Sequence, residues 1–186
     1  YKGIVGVVAD IIKTQKQYET AIETALGGTI QNIVTDNEET AKGLIAFLKQ
    51  NKFGRATFLP LSAISGRDIR VDSSLTRENG AVGFANQLVE CESEFTELAR
   101  YLLGRILVVD NIDNALAIAR RHNHSLRIVT LEGDMLSPGG SMSGGAFKNS
   151  SNLLGRRREI EELEASVSVK EAELKKSEEQ LTAARE

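Results

Sequence analysis

Apolar residues change their spacing several times along the chain, and each change predicts an element. Ile4, Val5, Val7, Val8 and Ile11-Ile12 form a dense run that reads as a buried strand or its flank. Tyr18, Ile22, Ala25 and Leu26 then recur at helical spacing until Gly27-Gly28 stops the helix. Residues 30–35 are a short β-branched run. Asp36 and Asn37 follow as helix-capping types, with Ala41, Leu44, Ile45 and Leu48 as the inner face of the next helix. Gly54 ends that helix, and Arg55 to Leu59 reads as a strand before Pro60.

The second half repeats this order. Leu103-Gly104 precedes a strand over 105–109, Asp110-Asn111 caps a helix faced by Ala115, Ile118 and Ala119, and 127–131 reads as a strand. Placing Asp36-Asn37 on Asp110-Asn111 gives an offset of 74, and Arg55 on Arg127 an offset of 72. One strand–helix–strand unit leaves its sheet uncovered, so two copies are expected to pack as subdomains related by a pseudo-twofold. The fold class is α+β, a mixed α/β architecture. Two chance β–α–β units are the plainer alternative.

Between the copies, residues 62–86 are rich in Ser, Gly, Asp and Arg and read as a surface linker with a short insert. Residues 133–155 carry six glycines, spaced as Gly133, Gly140 and Gly144-Gly145 with Gly139 and Gly155 beside them. Such density leaves two readings open. One is a strand edge without side-chain bulk that accepts a strand from another chain; the other is a flexible tether. From Arg156 the pattern becomes a heptad, with Ile160, Val167, Leu174 and Leu181 at a. The d series, Leu163, Lys170, Ser177 and Ala184, is weaker. A coiled-coil arm of about 45 Å is expected, with a plain amphipathic helix as the alternative.

Composition sharpens this division. The last 31 residues hold seven basic and nine acidic side chains and no Gly or Pro, while all 16 glycines precede them. The expected boundaries are a domain at 1–155 (about 1–80 and 81–155 as its subdomains) and an arm at 156–186. A net charge of −3 argues against a chain coated in positive charge for nucleic acid, so DNA contact needs a local patch. The candidates are Lys148, Arg156, Arg157 and Arg158. A single cysteine, Cys91, excludes a disulfide framework and fits a reducing, cytoplasmic setting. No apolar run reaches the ~20 residues of a membrane span. Tyr1 in place of an initiator Met, and a heptad broken at Glu186, make a piece of a longer protein the expectation.

Catalytic chemistry finds little support. His122 and His124 lack further metal ligands and read as solvated helix-end histidines. Cys91 has no evident base and reads as a small apolar residue. Asp36, Glu38 and Glu39 lie where a helix N-terminus favours negative charge. The phosphate-loop pattern is absent around Lys148, because no Ser or Thr follows it directly. No metal, cofactor or catalytic residue is expected.

These residues resemble one family closely: the hinge domain of bacterial structural maintenance of chromosomes (SMC) proteins, with the start of a returning coiled-coil arm. The likeness rests on Tyr18-Glu19, Ala25-Leu26-Gly27-Gly28, the run from Gly54 to Pro60, Leu103-Gly104, the run from Leu107 to Asp110, and Thr130 to Asp134. The most specific stretch is Ser137 to Gly145. The resemblance implies two pseudo-twofold-related subdomains and a homodimer in which Gly139, Gly140, Gly144 and Gly145 lie at the contact. It also implies arms leading to ATP-binding heads outside this chain, the incoming arm of the same full-length chain as a partner, and a role in chromosome condensation and segregation at the nucleoid. Some relatives carry a lysine run after the last glycine pair. Only Lys148 stands there, so weak, sequence-independent DNA binding is expected. The alternative is a module that chiefly binds DNA and dimerises secondarily.

Overall fold

The computed structural model describes residues 2–64, 72–145 and 153–185. In chain order the elements are β1 (Ile4–Val7), α1 (Val8–Ile11), β2 (Lys13–Thr14), α2 (Glu19–Leu26), β3 (Ile33–Thr35), α3 (Glu38–Asn51) and β4 (Phe58–Pro60). They continue with β5 (Ala81–Phe84), β6 (Val89–Glu90), α4 (Thr96–Leu103), β7 (Ile106–Val109), α5 (Ile112–Arg121), β8 (Arg127–Thr130), β9 (Met135–Leu136), β10 (Met142–Ser143) and α6 (Leu153–Arg185). Residues 1–152 form one compact unit and residues 153–186 another.

The first unit is built twice from one plan. β1 runs antiparallel to β3 and β3 parallel to β4, while β5 runs antiparallel to β7 and β7 parallel to β8. Even the irregularity recurs, since the register slips between Ile4 and Gly6 and again between Ala81 and Gly83. Gly6 and Gly83 are 77 residues apart, and so are the first residues of α2 and α4. The offset falls to 74 at the helix caps because a 3₁₀ turn at Gly27–Gln31 lengthens the first copy. It falls again to 70 at β4 and β8, because α3 has 14 residues and α5 has 10. The two-residue ladder of β2 and β6 pairs Lys13 with Glu90, its own equivalent. That ladder therefore lies on the pseudo-twofold and ties the halves together.

Helices α3 and α5 begin with the same cap. Asn37 Oδ1 accepts from the Thr40 N–H and Asn111 Oδ1 from the Asn114 N–H, each at 2.9 Å. Asp36 and Asp110 each accept the next residue's N–H at 2.7 Å. These bonds satisfy N–H groups that a helix start leaves without partners. In the second half, Leu107, Val109, Ile128 and Leu136 form one buried cluster with Ala115, Ile118 and Ala119 of α5. In the first half β3 and β4 have three residues each, against four in β7 and β8.

Several elements differ from the sequence reading. Residues 81–84, expected as linker, are a strand, concealed by Gly83 and by a length of only four residues. The strand expected from Arg55 begins at Phe58, which moves the offset from 72 to 70. The repeat is also longer than its visible part, since it includes β1/β5 and α2/α4. α6 starts at Leu153.

Candidate dimerisation edges

The glycine-rich segment folds as a small hairpin on the rim of the second sheet. Its strand order is β10-β9-β8-β7-β5, against β1-β3-β4 in the first sheet. Gly139 and Gly140, at φ +89° and +92°, make the turn between β9 and β10 in a backbone region that side chains disfavour. The Gly139 N–H donates to the His124 carbonyl at 2.9 Å, so the hairpin tip is tied to the loop after α5. At its base, Thr130 Oγ1 donates to Asp134 Oδ2 at 3.0 Å and accepts the Asp134 N–H at 2.9 Å. Gly144 lies against that carboxylate, and a Cβ there would overlap Asp134 Oδ1. Gly145 has open space around it.

Backbone bonding shows which groups this edge offers. The Ser137 N–H donates to the Ser141 carbonyl, with Met142 opposite Leu136 and Ser143 opposite Met135. Antiparallel alternation then turns the N–H and C=O of Met142 away from β9, onto the free side. The outer edge of the first sheet, β4, is open as well. Thr57 accepts from the Ile33 N–H at 3.0 Å and the Leu61 N–H donates to Thr35 at 2.8 Å. Phe58 alternates with these residues and so presents its backbone N–H and C=O outward, whereas the Pro60 carbonyl accepts from the Ala63 and Ile64 N–H groups at 3.0 and 3.2 Å.

The sequence reading singled out the glycines but missed what supports them. Asp134, Thr130 and His124 hold the hairpin, and Phe58 presents the open backbone groups of β4. His122 is not simply solvated: its Nε2 lies 3.1 Å from Glu78 Oε1, and Arg121 pairs with the same carboxylate at 2.5 Å. Burial pushes the Cys91 thiol above its ordinary pKa, which disfavours the reactive thiolate. Among the described residues there is no cluster of three potential metal ligands, and no helix is long and apolar enough to cross a membrane.

The remaining candidates lie toward α6. Lys148 falls outside the described residues. Arg156, Arg157 and Arg158 lie in the first turns of α6, where Arg157 pairs with Glu161 at 3.3 Å and Arg158 with Glu162 at 2.7 Å. Along the expected seam, Ile160, Leu163, Val167 and Leu174 are each more than half exposed. The side chain of Leu181 is outside the described residues.

The chain is thus a duplicated mixed-sheet unit followed in sequence by a long helix. Residues 1–119 match the family model described as the SMC proteins flexible hinge domain, and the chain belongs to that family. It is 47% identical over 157 residues to the chromosome partition protein Smc of Clostridium kluyveri, covering 84% of this chain and 13% of that one. The Bacillus subtilis Smc protein is 46% identical over 164 residues, covering 87% and 14%. The crystal structure of an asymmetric dimer of the Geobacillus stearothermophilus SMC hinge domain has a TM-score of 0.79 at 40% identity, covering 89% of this chain and 67% of that one. The chain thus spans about one seventh of the length of the curated relatives it matches.

Proposed function

We propose that this chain is the homodimerisation hinge of a chromosome-partitioning SMC ATPase, joining two coiled-coil arms into a V or ring. The observation that carries this is the pair of unequal open edges. One edge of the second sheet is β10 and one edge of the first is β4, and a dyad would bring each β10 beside the partner's β4 at two equivalent junctions. Each junction would join five strands to three. Main-chain hydrogen bonds supply direction, and the glycines around β10 leave little side-chain bulk on that edge. The dimeric Geobacillus relative supports self-association.

In this reading residues 1–155 are the hinge, with subdomains near 1–80 and 81–155, and 156–186 begin an arm that pairs with the incoming arm of the full-length chain. ATP hydrolysis belongs to heads elsewhere in that chain, and the hinge itself uses no cofactor and no catalytic residue. Weak, sequence-independent DNA contact belongs to Lys148 and Arg156 to Arg158, secondary to dimerisation, in a protein of the bacterial cytoplasm and nucleoid.

Light scattering tests the central claim. The chain should have a mass near 41 kDa, twice its 20.3 kDa. Phe58→Pro removes the outward N–H of β4 and should give a monomer with unchanged far-ultraviolet dichroism. A wild-type monomer at every concentration would refute the reading; a Phe58→Pro dimer would move the contact away from β4.

A further inference from the structure

The internal duplication supplies a template for the exposed side of β4. In the second half, β9 lies along β8 with Leu136 opposite Ile128, and Leu136 is buried in one cluster with Ala115, Ile118 and Ala119 of α5. In the first half the equivalents are Phe58 for Ile128, and Ala41 and Ile45 for Ala115 and Ala119. No strand of this unit's described residues stands beside β4, where β9 would stand. A groove of about 610 Å³ occupies that place, lined among others by Ala41, Lys42, Ile45, Lys49, Phe58 and Pro60. Ile45 is 41% exposed there, while its equivalent Ala119 is 2% exposed. The groove lies where the other half carries β9, and its floor includes Ala41, Ile45 and Phe58.

Resting on the dimer reading above, we propose that Met142 of a second copy fills this groove, opposite Phe58 and beneath Ile45, in the role Leu136 plays in the other half. Three observations converge on Met142. It is paired with Leu136, so its side chain points to the face of the sheet that carries α5, equivalent to the α3 face of the first sheet. Its backbone N–H and C=O face outward, as do those of Phe58, so the two form a hydrogen-bonded antiparallel pair with side chains on one face. It is also 53% exposed, an apolar side chain left uncovered on its own chain. The row Ile128, Leu136, Met142 then continues across the junction to Phe58 of the second copy. Gly144, two residues along the same face, adds no side chain that would hold α3 away. Lys42 and Lys49 frame the groove with their aliphatic stems and keep their charges in water. Methionine suits this slot because its flexible thioether adapts to an open groove.

The test uses two single-cysteine chains, both carrying Cys91→Ser, one with Met142→Cys and the other with Phe58→Cys. Opposed residues of a hydrogen-bonded antiparallel pair have Cα atoms ~5.5 Å apart, within disulfide range. Mild oxidation of the mixture should give a covalent dimer that neither chain forms alone. In parallel, Met142→Ala in the otherwise unchanged chain should weaken the dimer about 100- to 10,000-fold, the range expected for uncovering a buried methionine side chain at each of two junctions. Met142 is exposed in the single chain, so this variant tests association without disturbing the fold. A dimer that neither crosslinks nor weakens overturns the seating of Met142 while leaving the dimer reading intact. A chain that is monomeric throughout overturns both.

Discussion

Gly144 is constrained by its own chain, whatever else its edge contacts. Its side-chain space is taken by Asp134 of its own chain, which Thr130 clamps by two hydrogen bonds. Gly144→Ala should therefore destabilise the folded monomer by about 1–3 kcal/mol, the usual cost of forcing extra bulk into a packed position. The cost should shrink in an Asp134→Ala background, with a coupling above ~0.5 kcal/mol in a double-mutant cycle. Urea unfolding of the four chains measures this, and additive costs would show that Asp134 is not what excludes the side chain. The glycine spacing was legible in the sequence. The assignment of Gly144 to Asp134 was not, because it depends on a carboxylate ten residues away across a hairpin. His124 was obscured similarly: its contribution is a backbone carbonyl, to which side-chain identity gives no clue.

Among the elements, those with a strong local signal were read correctly. The Asp-Asn pairs before α3 and α5 announce their helices because the capping chemistry lies in the side chains themselves. β5 and β10 were harder. A four-residue strand interrupted by Gly83 and a two-residue strand among glycines acquire their identity from pairing partners, and no local periodicity records that. α6 is the opposite case, a long periodic helix legible throughout. Described by itself, it exposes more than half of Ile160, Leu163, Val167 and Leu174. Side-chain pairs such as Arg158–Glu162 and Lys170–Glu173 support it, at roughly 0.2–0.5 kcal/mol each. A helix held mainly by such pairs is marginal in water. Amides between Ile160 and Thr182 should exchange with protection factors below about 10 in dilute solution, while Val108 and Val129 exchange only on global unfolding. Hydrogen-exchange mass spectrometry separates the two. Slow exchange along α6 at concentrations where no self-association is detected would show that the seam is already covered.

At the scale of the whole molecule, symmetry and charge set what the chain can bind. The two copies of the plan end differently, on β4 in one and on β10 in the other, and the proposed pairing of these edges needs no strong field. DNA is a different demand, because each phosphate contact needs a cation that its neighbours have not already neutralised. Net charge is −3, and two of the candidate arginines, Arg157 and Arg158, hold Glu161 and Glu162. If one or two phosphates are neutralised per chain, a dimer should show a slope of log K against log salt of about −2 to −4 on duplex DNA. Replacing both carboxylates, Glu161→Gln with Glu162→Gln, removes the ion pairs that Arg157 and Arg158 make with them. Affinity at low salt should then rise several-fold and the salt slope should steepen, with the dimer mass unchanged. Fluorescence anisotropy across a salt series reads both quantities. An affinity indifferent to the substitutions, or to salt, would remove Arg157 and Arg158 from any DNA contact. The dimer edges would be untouched by that result, since their matching rests on backbone groups and an apolar groove rather than on charge.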